Sequence, residues 1–441
     1  MHKGTATILL KNEEALRTVA SAARISTQQG TALDIYERSG DREKDLKLVG
    51  KVLSSGHKSV IEHQTFGIAF NDVSVLVEQF VIEFRLASFT VKSRRYVDFT
   101  GAGYVTPDGM SPSVREIYAA RTEELFRLYE RLLELEIPKE DARFVLPYGF
   151  RSNFFMTINA RELIHMIAAM TAGRGGAQPE LRMLGGQLKE QFDALYPGAV
   201  EAEIRHLPEE RLEGGCDAIR SGEAVRPAAR IASAPSQPMA LLEEAVRFSA
   251  RFDEPDVRAL LNDARPRELE LLNYAFRIEN VSLACVTHFT RHRMLSLMLR
   301  HELYALAGGN YVLPETIAAN PEAHRLYAEA FAAQTAAARR ARELGAADSE
   351  LRYFAMAGHT TSILISMNAR ELLHFSKLRS CSRAQWEIRG IARGMIEALN
   401  ATEAWPLFQY YGPTCAATGR CPEGKMTCGH PVRIEDGVWK S

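Results

Sequence analysis

Asn159-Ala160-Arg161-Glu162-Leu163, followed by His165, returns 209 positions on (the interval from 159 to 368) as Asn368-Ala369-Arg370-Glu371-Leu372, followed by His374. Other pairs keep nearly the same offset: Ala22-Ala23-Arg24-Ile25 with Ala228-Ala229-Arg230-Ile231, Val73-Ser74 with Val281-Ser282, and Arg143 with Arg352. Tyr104-Val105-Thr106-Pro107 pairs with Tyr311-Val312-Leu313-Pro314, and Ala177-Gln178 with Ala384-Gln385. So many matches in one register make the chain a tandem duplication, and two copies of one pattern are expected to share one fold. Where the copies differ, the difference bears on function.

Length agrees with this reading, since 441 residues exceed one ordinary core and suit two domains of about 220 residues each. Lys plus Arg against Asp plus Glu, 54 to 55, leaves a net charge of −1. That balance supplies no global positive field for nucleic acid or an anionic membrane. With no run of about 18 apolar residues, the expectation is a soluble, cytoplasmic protein. Cys216, Cys285 and Cys381 are scattered, while Cys415, Cys421 and Cys428 crowd the tail, a pattern unlike a secreted disulfide framework.

Residues 115–136 and 324–344 carry apolar positions at helical spacing and are expected as long helices. Phe66 to Phe70, Val73 to Val77 and Val281 to Val286 are short, apolar and rich in β-branched residues, which fits strands or buried helix turns. Gly214-Gly215, Gly222, Pro227, Pro235 and Pro238 break any long element between residues 205 and 238, and the halves are expected to divide there.

Three places carry chemistry. Arg291-His292-Arg293, followed by Ser296, crowds cationic groups that must be solvated or face an anion such as a phosphate. Ser93-Arg94-Arg95-Tyr96 supplies a hydroxyl, two guanidinium groups and a phenol, suited either to a surface turn or to a phosphate and a base edge together. Gly56-His57-Lys58-Ser59 and Glu62-His63 precede it, and two histidines six apart do not form a natural metal pair. In the repeated helix, Arg161 and His165, like Arg370 and His374, stand four apart on one face. They either share one ligand or lie exposed and paired to Glu162 and Glu371. Arg379 follows Arg370 by nine residues, about half a turn round an unbroken helix, and should meet different neighbours.

Together these residues resemble the flavin-dependent thymidylate synthase family. Arg291-His292-Arg293-Met294-Leu295-Ser296 matches the first part of its signature, and Ser93-Arg94-Arg95-Tyr96 the last part. His57, Ser59 and His63 match its His-x-Ser/Thr-x-x-x-His segment, both repeated helices its Asn-Ala-Arg helix, and Leu378, Arg379 and Ala384 to Ile388 its closing motif. The resemblance covers nearly everything from residue 20 to 410. It implies an α+β fold in two tandem copies, each a mostly antiparallel central sheet flanked by long helices, over residues 1–215 and 226–410, with a tail at 411–441.

The resemblance further implies reductive methylation of dUMP, with methylene-tetrahydrofolate as carbon donor, NADPH as reductant and FAD as hydride carrier. Arg291, His292, Arg293, Asn368, Arg370 and His374 would hold FAD with His57 and Ser59. Ser93, Arg94, Arg95, Arg291 and Arg352 would bind dUMP, with Ser93 in the chemistry. The position of Arg379 is the one the family sets beside the uracil ring, where a cation favours the anionic base, and Arg174 is the first half's candidate replacement.

Each half departs from the family pattern. The first reads Glu83-Phe84-Arg85 in place of Arg-His-Arg and has Met170 or Ala172 where the arginine is expected. In the second, His301 and Leu303 replace the counterparts of Ser93 and Arg95, and Asp263 to Leu271 lacks histidine. Since the family is homotetrameric with sites shared by subunits, the resemblance implies a homodimer of four repeats. One composite pocket would draw on both halves, and the opposite pairing, with Glu83 in it, would not take a nucleotide. The alternatives are a degenerate FAD or nucleotide binder without turnover and a structural or partner-binding scaffold.

Outside the resemblance, Cys415, Cys421, Cys428 and His430 offer three thiolates and an imidazole in a short tail. They suit a structural zinc site, free cysteines in a loose tail, or redox chemistry.

Overall fold

The computed structural model of the chain describes residues 3–12, 14–208, 218–252, 256–418, 420–429, 433–435 and 438–440. The chain forms two compact units. One comprises Met1–Ala218 with Ala333–Ala355, the other Ile219–Ala332 with Met356–Ser441. Sequence repeat and compact unit therefore part at residues 333–355, a piece of the second copy that packs within the first unit.

In the first unit, β1 (Thr5–Lys11), β2 (Thr65–Ser74), β3 (Ala87–Val91) and β4 (Arg151–Asn159) form an antiparallel sheet in the order β1-β2-β4-β3. Alternation makes the strands: Phe66, Ile68 and Phe70 of β2 and Phe154, Met156 and Ile158 of β4 point to the buried face, as a period of two requires. The stretch Val73 to Val77 is both a strand end and a helix start. Ser74 ends β2 and accepts from the Val77 amide at 3.2 Å to cap α1 (Val75–Ile82), all eight residues of which are buried. The expected long helix is α2 (Pro112–Glu134), with Ser111 as N-cap, Pro at its start, and Val114, Tyr118, Leu125, Tyr129 and Leu132 on its buried face, a spacing of three and four. At the end of β4, Asn159 accepts from the Glu162 amide at 2.9 Å and starts α3 (Ala160–Thr171), which packs on α4 (Pro179–Asp193).

The second unit repeats this plan with β5 (Ala228–Ser233), β6 (Asn273–Ser282), β7 (Ser296–Leu299) and β8 (Thr360–Asn368), antiparallel in the order β5-β6-β8-β7. Its helices include α5 (Leu283–Thr290), the part before residue 333 of α6 (Pro321–Glu343), α7 (Ala369–Arg379) and α8 (Trp386–Asn400). Even an irregularity recurs. Register shifts after Phe70 and before Ile363 accompany left-handed Asp72 (φ 52°) and Asn280 (φ 58°), residue types that tolerate this conformation at a bulge.

The best repeated polar feature is a buried brace. In the first unit Glu180 of α4 accepts from the Ser74 amide at 2.8 Å and the Ser74 hydroxyl at 2.6 Å. In the second, Glu387 of α8 does the same with Ser282 at 2.7 and 2.5 Å. Glu180 also accepts from the Tyr353 hydroxyl at 2.8 Å, contributed by the 333–355 segment of its own unit. Burial pushes the Glu180 carboxyl up from its ordinary value and Tyr353 well above its own. Tyr118 of α2 packs edge-on to Tyr353 and Phe354, and Gln334 donates to the Phe354 carbonyl at 2.6 Å.

Among the described residues no helix is long and apolar enough to cross a membrane.

Candidate functional site

In the first unit, the turn after β3 carries Ser93 to Tyr96. Ser93 accepts the Arg95 amide at 3.3 Å, which tightens the turn. Of the two arginines expected to face ligand, Arg94 instead points inward. It is 7% exposed, pairs with Glu78 of α1, and lies 5.7 Å from the Phe150 ring centroid. Ser152 donates to the other Glu78 oxygen at 2.5 Å, so Arg94 is a satisfied core cation, as buried charge requires. Arg95 is half-buried, pairs with Glu140 and lies over Tyr96 at 5.4 Å. Arg352 belongs to this same unit, where the Gln178 amide, turned to satisfy both neighbours, accepts from Arg352 at 3.2 Å and donates to the Ser349 carbonyl at 3.1 Å.

His57 and Ser59 are exposed at the start of the short 3₁₀ helix Lys58–His63. A cavity of about 240 Å³ beside them is lined by Lys58, Arg161, Glu162, His165, Glu203 and His206. Arg161 and His165 thus open on one cavity. Arg161 pairs with Glu62 at 2.6 Å rather than with the neighbouring Glu162, and Lys58 pairs with Glu203. Among the described residues no hydrogen bond reaches the Glu162 carboxylate, and burial raises its pKa.

A second cavity, about 230 Å³, is lined by Glu83, Phe84, Glu162, His165 and Arg174. Arg174 sits 2.8 Å from Glu83 and lies 4.3 Å from the Phe80 ring and 5.7 Å from the Phe84 ring. The arginine expected to stand in for Arg379 is therefore held by the acid that replaced the first arginine of the basic run. Here charge is already paired.

In the second unit, α5 ends at Arg291, and the chain turns through His292 and Arg293 into β7. Arg291 and Arg293 are exposed, whereas His292 is 3% exposed. Its Nδ1 lies 2.8 Å from Glu371 Oε1 on α7, and its Nε2 accepts from Arg379 Nε at 3.0 Å. Burial pushes the His292 pKa down, against the upward pull of its Glu371 hydrogen bond. Its ring meets His374 edge-on at 5.7 Å and Phe375 at 4.8 Å. Arg370 reaches Glu270 at 2.5 Å, and Asn368 caps α7 by accepting from the Glu371 amide at 2.9 Å. The helix is unbroken to Arg379, so Arg370 and Arg379 meet different neighbours, as half a turn of rotation requires.

Part of the set expected to hold a flavin fits such a group by chemistry. Exposed Arg291, Arg293 and His374 suit a pyrophosphate, while His292, Arg370 and Asn368 are engaged inside the unit. Sequence reasoning missed that Glu62 and Glu270 are the acids that pair with Arg161 and Arg370. Glu62 and Glu270 precede the two sheets' second strands at matching places, and that recurrence was the available signal.

In the tail, Cys415 is buried while Cys421 and Cys428 are exposed, and His430 lies outside the described residues. Among the described residues no group of three or more His, Cys, Asp or Glu side chains is placed to hold a metal.

Comparison with known proteins gives concordant matches. The sequence model of a family described as "Thymidylate synthase complementing protein" matches twice, over residues 7–198 and 220–405. A flavin-dependent thymidylate synthase of Geobacter sulfurreducens is 35% identical over 170 residues, covering 38% of this chain and 72% of the relative. One from Thermococcus onnurineus is 31% identical over 220 residues, covering 46% and 88%. Among solved structures, the UMP/dUMP methylase PolB from Streptomyces cacaoi, bound with 5-Br dUMP, is 25% identical, with a TM-score of 0.38 over 46% of this chain and 95% of that one.

Proposed function

Because the chain belongs to the thymidylate synthase complementing protein family, carrying its pattern twice, we propose that it is a flavin-dependent methyltransferase that makes thymidylate from dUMP. The observation that carries the reading is the second repeat's intact Arg291-His292-Arg293 run, with Arg379 brought to 3.0 Å from His292. Methylene-tetrahydrofolate would give the carbon and NADPH the electrons, and FAD, when bound, supplies the hydride-carrying chemistry. Arg291, Arg293 and His374 hold the flavin's anionic part. Binding of dUMP depends on Ser93, Arg95 and Arg352 in the first unit and on Arg291 in the second. Arg379 places a fixed cation against the uracil and favours its anion, an electrostatic contribution made before the reaction begins. The protein works in the cytoplasm as a homodimer, four repeats in all.

The experiment is an absorbance spectrum of the purified protein with and without FAD, then NADPH bleaching with and without dUMP, then assay of thymidylate. Bleaching that responds to dUMP, followed by thymidylate, supports the reading; a protein that binds no flavin overturns it. Substitution adds resolution: Ser93→Ala and Arg291→Ala should each abolish dUMP binding, whereas Glu83→Gln should leave it unchanged. Equal losses in all three would overturn this residue assignment.

A second reading has one observation in its favour, the Glu83–Arg174 pair at 2.8 Å. It leaves the first repeat self-neutralised, as in a flavin or nucleotide binder without turnover. Thymidylate formation by the pure protein removes that reading.

A further inference from the structure

We propose that Glu371, His292 and Arg379 form a relay in which His292 is a positioning residue: Glu371 fixes the imidazole as its neutral Nδ1–H form, so that Nε2 accepts from Arg379 and aims its guanidinium. The hydrogen-bond chemistry leaves one self-consistent assignment. A guanidinium Nε–H only donates, so the ring nitrogen 3.0 Å from Arg379 Nε must carry no proton. The neutral ring then bears its proton on Nδ1, where it donates to the Glu371 carboxylate at 2.8 Å. A doubly protonated ring would set Nε2–H against Nε–H and lose that bond. Burial disfavours that cation as well, and the charged or titratable groups around the ring are Glu371, Arg379 and His374.

Both ring nitrogens are thus used inside the unit, so His292 has no ring nitrogen to offer a flavin. Its value lies in the arginine. An Arg side chain loses much rotamer freedom on being fixed, and an acceptor at Nε sets the direction of the guanidinium plane. A carboxylate there would fix the arginine more strongly and neutralise it, as Glu83 does to Arg174. A neutral imidazole orients Arg379 without cancelling its charge.

The first repeat is an internal control. Phe84 meets His165 at 5.7 Å and 66°, the same figures as His292 against His374, so ring placement survives where imidazole chemistry does not. Met170 stands at the place of Arg379. Glu162, at the place of Glu371, receives no hydrogen bond to its carboxylate among the described residues, although burial raises its pKa. The histidine and arginine are both absent, and the acid has lost its partner.

The catalytic consequence rests on the proposed dUMP chemistry, but the tautomer does not. In the full chain labelled with ¹⁵N-histidine, NMR at neutral pH should find His292 protonated on Nδ1 and bare on Nε2, and Arg379→Ala should shift it toward the ordinary Nε2–H form. An Nε2–H or doubly protonated His292 in the native protein overturns the relay whether or not the protein makes thymidylate. For function, His292→Phe keeps the ring shape seen in the first repeat and should lower kcat/KM for dUMP on the order of 10- to 100-fold through misplacement of Arg379. His292→Gln, whose amide oxygen can accept at the place of Nε2, should restore most of it. In an Arg379→Ala background His292→Phe should cost nothing further. Full activity of His292→Phe, or losses that add to those of Arg379→Ala, would overturn the positioning role. Absence of turnover in the native protein, with the tautomer as stated, would instead count against the proposed function.

Discussion

His359 illustrates how one buried side chain couples the second unit to pH. Its Nδ1 accepts the Met356 amide at 2.8 Å, its ring meets Phe331 edge-on at 4.9 Å, and burial pushes its pKa down to about 3 from 6.5. Depression means the folded state holds the neutral ring while the unfolded state takes a proton below pH 6.5. Stability from this group is therefore complete above pH 6.5 and is lost as pH falls toward 3, by about 2 kcal/mol at pH 5. The first repeat has Phe150 at the equivalent place. His359→Phe should accordingly flatten the loss of stability between pH 7 and 5, read as the urea midpoint at each pH; an unchanged slope would mean other groups govern it. The Glu83–Arg174 pair is a contrasting case. Both side chains are about a third exposed, so solvent screening keeps its value to stability below about 1 kcal/mol, and its consequence is the neutralisation of Arg174.

At the scale of elements, each strand-to-helix junction is built once and used twice. Ser282 caps α5 and also gives its hydroxyl to Glu387. Ser282→Ala removes a cap, about 1 kcal/mol, and leaves a buried carboxylate short of a donor, about 1–3 kcal/mol. We expect a loss of about 2–4 kcal/mol in urea unfolding, and Ser74→Ala should behave alike in the first unit. A loss under 1 kcal/mol would mean that water replaces the hydroxyl. Of the three apolar runs that fit either strand or helix, Phe66 to Phe70 lies within β2, while Val73 to Val77 and Val281 to Val286 are these junctions. A hydrophobic pattern of five residues has no period to resolve, and the capping serine inside each is what divides it.

At the scale of the molecule, the first unit includes residues 333–355, so the first repeat in isolation lacks part of its own core. A fragment of residues 1–218 should expose Tyr118 and leave Glu180 without its Tyr353 donor. It should be poorly soluble or lack a cooperative unfolding transition, measured by circular dichroism. A stable, cooperative fragment would show that the segment is dispensable. This division was not legible in the repeat, because sequence similarity follows descent and compactness follows which apolar faces find each other.

The sequence alone determined the duplication, the α+β class, the family and the asymmetry of the two basic motifs, because spacing and side-chain type carry these directly. Tertiary structure decided the partners. That Arg94 is a core cation and Arg95 is not, that Arg174 answers to Glu83, and that Glu371 reaches His292 while Arg370 reaches Glu270, depend on distances of a few ångströms set by packing. Electrostatic pairing and desolvation vary steeply over such distances, whereas the order of residues along the chain does not encode them.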